Sequence, residues 1–155
     1  MSLATDTIFI AALQSNSELL TTLGATETAP PRLWGTAAPM PDEDFENVPV
    51  PYVIVTFDGL TNDGLTKDSS YEGDSDRVNI GIEVTGRSLK DLHELAQVVR
   101  DTILNYMQAN DTGIMDYQMT ADAINYDSFK PCYFTTLRYQ CDVLRDLPED
   151  NEQES

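Results

Sequence analysis

Between Arg77 and Met107 the chain reads RVNIGIEVTGRSLKDLHELAQVVRDTILNYM, and the spacing of its apolar residues changes once along that length. Val78, Ile80, Ile82 and Val84 are interleaved with Arg77, Asn79, Glu83 and Thr85. A period of two predicts a strand with one buried face and one wetter face. Beyond Gly86-Arg87, the residues Leu92, Leu95, Ala96, Val99, Ile103, Tyr106 and Met107 recur at helical spacing and form one stripe. Lys90, Asp91, Glu94, Gln97, Asp101 and Gln108 fall on the other side. Ser88 stands at the N-cap position with Asp91 three residues on, the arrangement that satisfies early backbone N–H groups. A strand feeding a long amphipathic helix is therefore the central expectation.

The remaining segments carry shorter patterns. Residues 5–14 predict a helix with Ile8, Ala11, Ala12 and Leu13 inward. Ser15-Asn16-Ser17 interrupts it, and a second helical piece ends at Leu23, with Gly24 placed as a left-handed C-terminal residue. The two pieces are compatible with one kinked helix. Leu33-Trp34 is a brief apolar touch, a candidate short strand. The four prolines and four acids of 36–51 predict an extended loop through which no strand runs. Residues 52–57 are apolar on both faces, as in a central strand or one that meets a subunit. The Gly-, Asp- and Ser-rich stretch 58–76 reads as a long hairpin arm joining strand 52–57 to strand 77–85, longer than an ordinary hairpin loop. Met115, Tyr117 and Met119 alternate with polar residues. Continuing through Ile124 and Tyr126 changes the parity, so a bulge or break is expected near 121. After a turn at 127–131, Tyr133, Leu137, Tyr139, Cys141 and Val143 share one face of a last strand, and Thr136, Arg138, Gln140 and Asp142 the other.

This order predicts an α+β fold: an antiparallel or mixed sheet of about four strands, with an N-terminal helix and one long helix packed on one face. A single domain over 1–145 and a disordered acidic tail over 146–155 are expected.

Charge alters the picture most. The 155 residues hold 27 acids against 9 basic residues, a formal net charge of −18, and 15 of the acids lie in 42–46, 58–76 and 146–154. Nucleic-acid binding through a basic patch is excluded, because that mode needs clustered Lys and Arg. An acidic surface lining a DNA passage remains compatible, since repulsion keeps the polymer from sticking. Apolar runs are too short for a membrane helix of about 20 residues. A basic region followed by an apolar core is absent from the N-terminus, so a soluble protein made in the cytoplasm is expected.

Candidate chemistry adds little. Cys132 and Cys141 lie in one strand, about 30 Å apart and on opposite faces, so they cannot bridge each other and read as buried thiols. His93 is the only histidine and has no nucleophile partner in sight. None of the G-x-S-x-G, H-E-x-x-H, P-loop or G-x-G-x-x-G motifs occurs. Asp58, Asn62-Asp63, Asp74 and Asp76 supply oxygen atoms without the spacing of a calcium loop. Neither an enzyme, nor a cofactor, nor a metal is expected.

The series IFIAALQSNSELLTTLG, PRLWGTAAP, PVPYVIVTFDG and IGIEVTGRSLKDLHELAQVVRDTI resembles the tail-completion or tail-terminator proteins of tailed bacteriophages and prophages. Pro51-Tyr52, the Gly86-Arg87-Ser88 junction and Ala96 to Ile103 carry most of the likeness, which spans residues 8–145. The resemblance implies a protein of the virion, at the head-proximal end of the tail and in the host cytoplasm during assembly. Its copies would form a ring, typically a hexamer, that stops tube polymerisation, with the tail-tube protein and the head-tail connector protein as partners. Candidate subunit or tube contacts are Tyr52, Ile54, Thr56, Leu60, Leu65, Tyr71 and Tyr139. Candidate acidic lumen or arm residues are Asp63, Asp68, Glu72 and Asp74. Two other readings stay open: another head-tail adaptor with the same ring logic, and an acidic DNA-mimic inhibitor.

Overall fold

The computed structural model describes residues 2–35, 48–62 and 75–144. A 3₁₀ turn (Ser2–Ala4) leads into α1 (Thr5–Gln14) and α2 (Ser17–Thr22), followed by β1 (Leu33–Trp34), β2 (Val53–Thr61) and β3 (Ser75–Gly86). Next come α3 (Leu89–Ala109), β4 (Ile114–Ala121), β5 (Asn125–Asp127) and β6 (Cys132–Leu144). The strands form one mixed sheet in the order β1-β2-β3-β6-β4, with β5 beside β4 along the same flank of β6. Among the described strands only the β1–β2 pairing is parallel.

The α+β expectation holds, with six strands among the described residues in place of about four. The four long strands are the ones the pattern marks, three by alternation and 52–57 by its two apolar faces, and the count rises through the candidate short strand β1 and through β5, two and three residues long. Segments that short carry too few residues to show a period.

One sheet face carries the core. Val53 and Val55 of β2, the four β3 residues Val78, Ile80, Ile82 and Val84, and Leu137, Tyr139, Cys141 and Val143 of β6 are buried there. The α3 stripe closes over them through Leu92, Leu95, Val99 and Ile103. Ser88 Oγ accepts from Asp91 N at 3.1 Å and so starts α3 where the spacing places it. Gly86 sets the turn from β3 into α3: a Cβ there would lie 2.6 Å from Leu92 N and 2.8 Å from Leu92 Cα.

Three local readings change. In α1 the fully buried residues are Phe9, Ala12 and Leu13, with Ile8 and Ala11 only partly covered, because the helix is wedged against α3 and β2 and the Phe9 ring reaches Tyr139, 5.1 Å between centroids. The two N-terminal pieces are separate helices, since Asn16 is extended (φ −105°, ψ 100°) and its side chain caps α2 by accepting from Glu18 N and Leu19 N. In β4 a register shift between Ile114 and Asp116 turns Met115 outward, 58% exposed, and leaves Ile114 packed on the core. The break expected near 121 is present, as residues 122–124 join β4 to β5 outside either strand.

Candidate functional site

The two sheet faces separate the residues the pattern had grouped. Ile54 and Thr56 lie on the face away from the helices, and Tyr52 belongs to a cluster on that same side. Leu60 packs on the helix-covered core, and Tyr139 is 3% exposed beneath it between Phe9 and Tyr117. Tyr139 therefore has no ring surface left for a neighbour, a consequence of its odd parity on β6, which it shares with Leu137 and Cys141. Burial raises its phenol well above the ordinary range. Leu65, Tyr71, Asp63, Asp68, Glu72 and Asp74 lie outside the described residues, as do the acidic stretch 42–46 and the tail 146–155.

The outward face is polar and crossed by side-chain bridges. Gln118 stands opposite Gln140, and Thr120 opposite Arg138. Arg138 holds Asp122 in a two-pronged contact, with Nη2 to Oδ2 at 2.8 Å and Nε to Oδ1 at 2.9 Å, and approaches Asp58 at 3.8 Å. That guanidinium draws the Asp122 carboxyl below its usual range. Asp58 also accepts from Thr56 Oγ1 at 2.8 Å, and Arg77 lies 3.6 Å from Asp142. With Glu83, Asp116 and Asp127 included, six carboxylates meet Arg77, Arg138 and Lys130 on this side among the described residues, so the charge they contribute is negative.

At the end of the sheet where β6 begins, the same side holds a small apolar cluster of Val50, Tyr52 and Cys132 with Trp34 and Ile54 against it. Tyr52 is tied to β3 by Thr85, whose Oγ1 accepts from Tyr52 N at 2.8 Å and donates to Tyr52 O at 2.9 Å. Lys130 is buried, and its Nζ lies 5.1 Å from the centre of the Tyr52 ring. Burial lowers the Lys130 ammonium, and it raises the Cys132 thiol, with Asp127 adding to the latter. Burial and then Asp127 raise Glu83. Cys141, on the opposite face, is pushed up to about 12 by burial and Asp142. Both thiols are unbridged and buried, as their parity predicts.

A cleft of about 510 Å³ opens between α2, the N-terminal half of α3 and the Thr85-Gly86-Arg87 corner. Its apolar wall includes Leu19, Leu95 and Val98, and its cations are Arg32 and Arg87. Arg32 is held in place, donating from Nε to Pro51 O at 2.9 Å while its guanidinium lies against Gly24. Gly24 has φ 89°, and a side chain there would collide with that guanidinium. Burial first, and then the charge of Arg87, lower Arg32. Glu18, Asp91 and Glu94 also line the cleft, yet no carboxylate among the described residues comes within 4 Å of either guanidinium. Sequence reasoning missed this pair: the arginines are 55 positions apart (87 − 32), and only the β1–β2 and β3–α3 connections bring them together.

Among the described residues no group of three or more His, Cys, Asp or Glu could hold a metal, and no helix is long and apolar enough to cross a membrane. His93 is exposed on α3.

No protein-family model and no curated protein matches the chain. A solved structure does. A chain of the virion of a native gene transfer agent (GTA) particle superposes with a TM-score of 0.58 at 10% identity, covering 90% of this chain and 94% of that one. At that identity the likeness is one of fold, and it runs nearly end to end in both chains.

Proposed function

We propose that this chain is a structural protein of a phage-type virion, and that it closes the head-proximal end of a tail tube as a ring of copies. The observation that carries the reading is the near-complete overlap in fold with a virion chain, 90% of one and 94% of the other. The order of segments that resembles tail-terminator proteins supports the finer assignment. Electrostatics supports it too. A polar outward sheet face with six carboxylates to three cations among the described residues suits a wall along which DNA passes without adhering. The same interleaving of Arg77 and Arg138 among the acids counts against a DNA mimic, which needs an unbroken array of negative charge. In this reading the partners are other copies, the tail-tube protein and the head-tail connector.

The test is assembly without the protein. Particles made in its absence should carry tubes of uncontrolled length with no heads attached, and adding the pure chain back should restore joined tails. Tails of normal length joined to heads in its absence would overturn the reading. Binding of the pure chain to tube subunits, but not to connector alone, separates a terminator from an adaptor.

A further inference from the structure

We infer that copies of this chain associate head to tail, the turn between β5 and β6 of one copy entering the α2–α3 cleft of the next with Phe129 as its anchor. The inference deepens the ring reading and rests on it for ring closure.

The turn is built to present its aromatic residue. Phe129 is 92% exposed, the most exposed large apolar side chain among the described residues. Its backbone is nevertheless pinned: Asp127 Oδ1 accepts from Phe129 N at 2.9 Å and from Lys130 N at 3.3 Å, and the Lys130 side chain is buried beside Tyr52. A rigid turn loses little freedom on docking. Single exposed apolar residues are ordinary on protein surfaces. Here Phe129 has further exposed apolar neighbours along the chain: Tyr126, 55% exposed, and Ile124, 39% exposed, precede it within five residues.

The cleft offers room for the aromatic ring and, on one side, a pair of guanidiniums. Its 510 Å³ has room for an aromatic side chain against Leu19, Leu95 and Val98, and Val98 is itself 39% exposed. Arg32 and Arg87 wait at its side with no carboxylate within 4 Å, and Asp127 stands two residues from Phe129. Glu18, Asp91 and Glu94 share the lining, so a run of acids such as 42–46 or 146–154 is repelled, whereas one acid among aromatic residues is accepted.

Position decides the geometry. Gly86 pairs with Tyr133, and Asp127 with Cys132, so the turn and the cleft lie at the same end of the sheet. Strand order puts β5 on one flank, beyond β6, and α2 towards the other, with β1 and β2. A knob and a hole at one height on opposite flanks make a heterologous contact that repeats sideways, which is what a closing ring requires.

The experiment uses full-length chain and light scattering coupled to size exclusion over a concentration series. Phe129→Ser removes the knob and Val98→Trp fills the hole. Both sites are solvent-facing, so thermal unfolding should match the wild type. Each variant should weaken association on the order of tenfold or more. Each keeps one intact half of the contact, so mixing the two should give a one-to-one dimer and nothing larger. Wild-type-like assembly by Phe129→Ser, absence of the mixed dimer, or a wild type that stays monomeric at every concentration overturns the contact. The ring reading is tested separately by tail length, so the contact can fail while that reading stands.

Discussion

Gly86 shows how much one residue can determine. The strand and the helix it joins are both readable from their periods, but the closeness of their approach is not. Leu92 N and Cα sit where a Cβ would have to go, and both are helix backbone that cannot swing aside. Gly86→Ala should destabilise the chain by about 1–3 kcal/mol in urea melts. Phe9 is a second case, fully buried and touching the Tyr139 ring, and Phe9→Ala should cost about 3–5 kcal/mol. Glu83 is a third, because burial and then Asp127 raise its pKa above the unfolded value. The proton is then held more tightly in the folded chain. The resulting stabilisation is complete below the ordinary glutamate range and is lost as pH rises through the raised value. Glu83→Gln, which mimics the protonated form, should raise the urea midpoint near neutral pH and leave it unchanged below about pH 4. An equal shift at both pH values would show that burial does not perturb Glu83.

At the scale of elements, α3 was the most legible. Its stripe and its Ser88 cap follow from local spacing, since one amphipathic helix needs only one apolar surface to lie on, although Thr102, outside the stripe, is buried too. Ser88→Ala should cost about 1 kcal/mol and fray the first turn, which hydrogen exchange at Asp91 would report. The N-terminal helices were legible only in outline. Asn16 caps α2 and also donates to Thr102 Oγ1 of α3 at 2.9 Å, a contact 86 residues away in sequence that no local pattern reveals. Met115 was misplaced for a related reason. A bulge shifts parity by one residue, and alternation alone gives no warning of it.

The whole molecule is governed by its charge of −18. Copies brought side by side repel over a Debye length before any contact forms, so screening should help them associate. Raising salt from about 20 mM to about 500 mM should therefore strengthen self-association measured by light scattering. Weaker association at high salt would mean that the Arg32–Arg87 attraction for Asp127 outweighs the net repulsion. The fold overlap with a virion chain at 10% identity belongs to this scale as well. A sheet with helices on one face can be kept by many sequences that preserve only its alternation and stripe.

What the sequence determined by itself is whatever depends on neighbours along the chain: the periods, the caps, the turn at 127–131, the opposite faces of Cys132 and Cys141, and the overall α+β class. Tertiary structure alone decided which faces meet. It buried Tyr139 while leaving Ile54 and Thr56 on the other side, brought Arg32 beside Arg87, and pinned the Asp127 turn so that Phe129 projects. The physical reason is that parity and helical spacing assign a side chain to a face. What covers that face is set by packing between segments far apart in the chain, and the energy of that packing is not written in any single one of them.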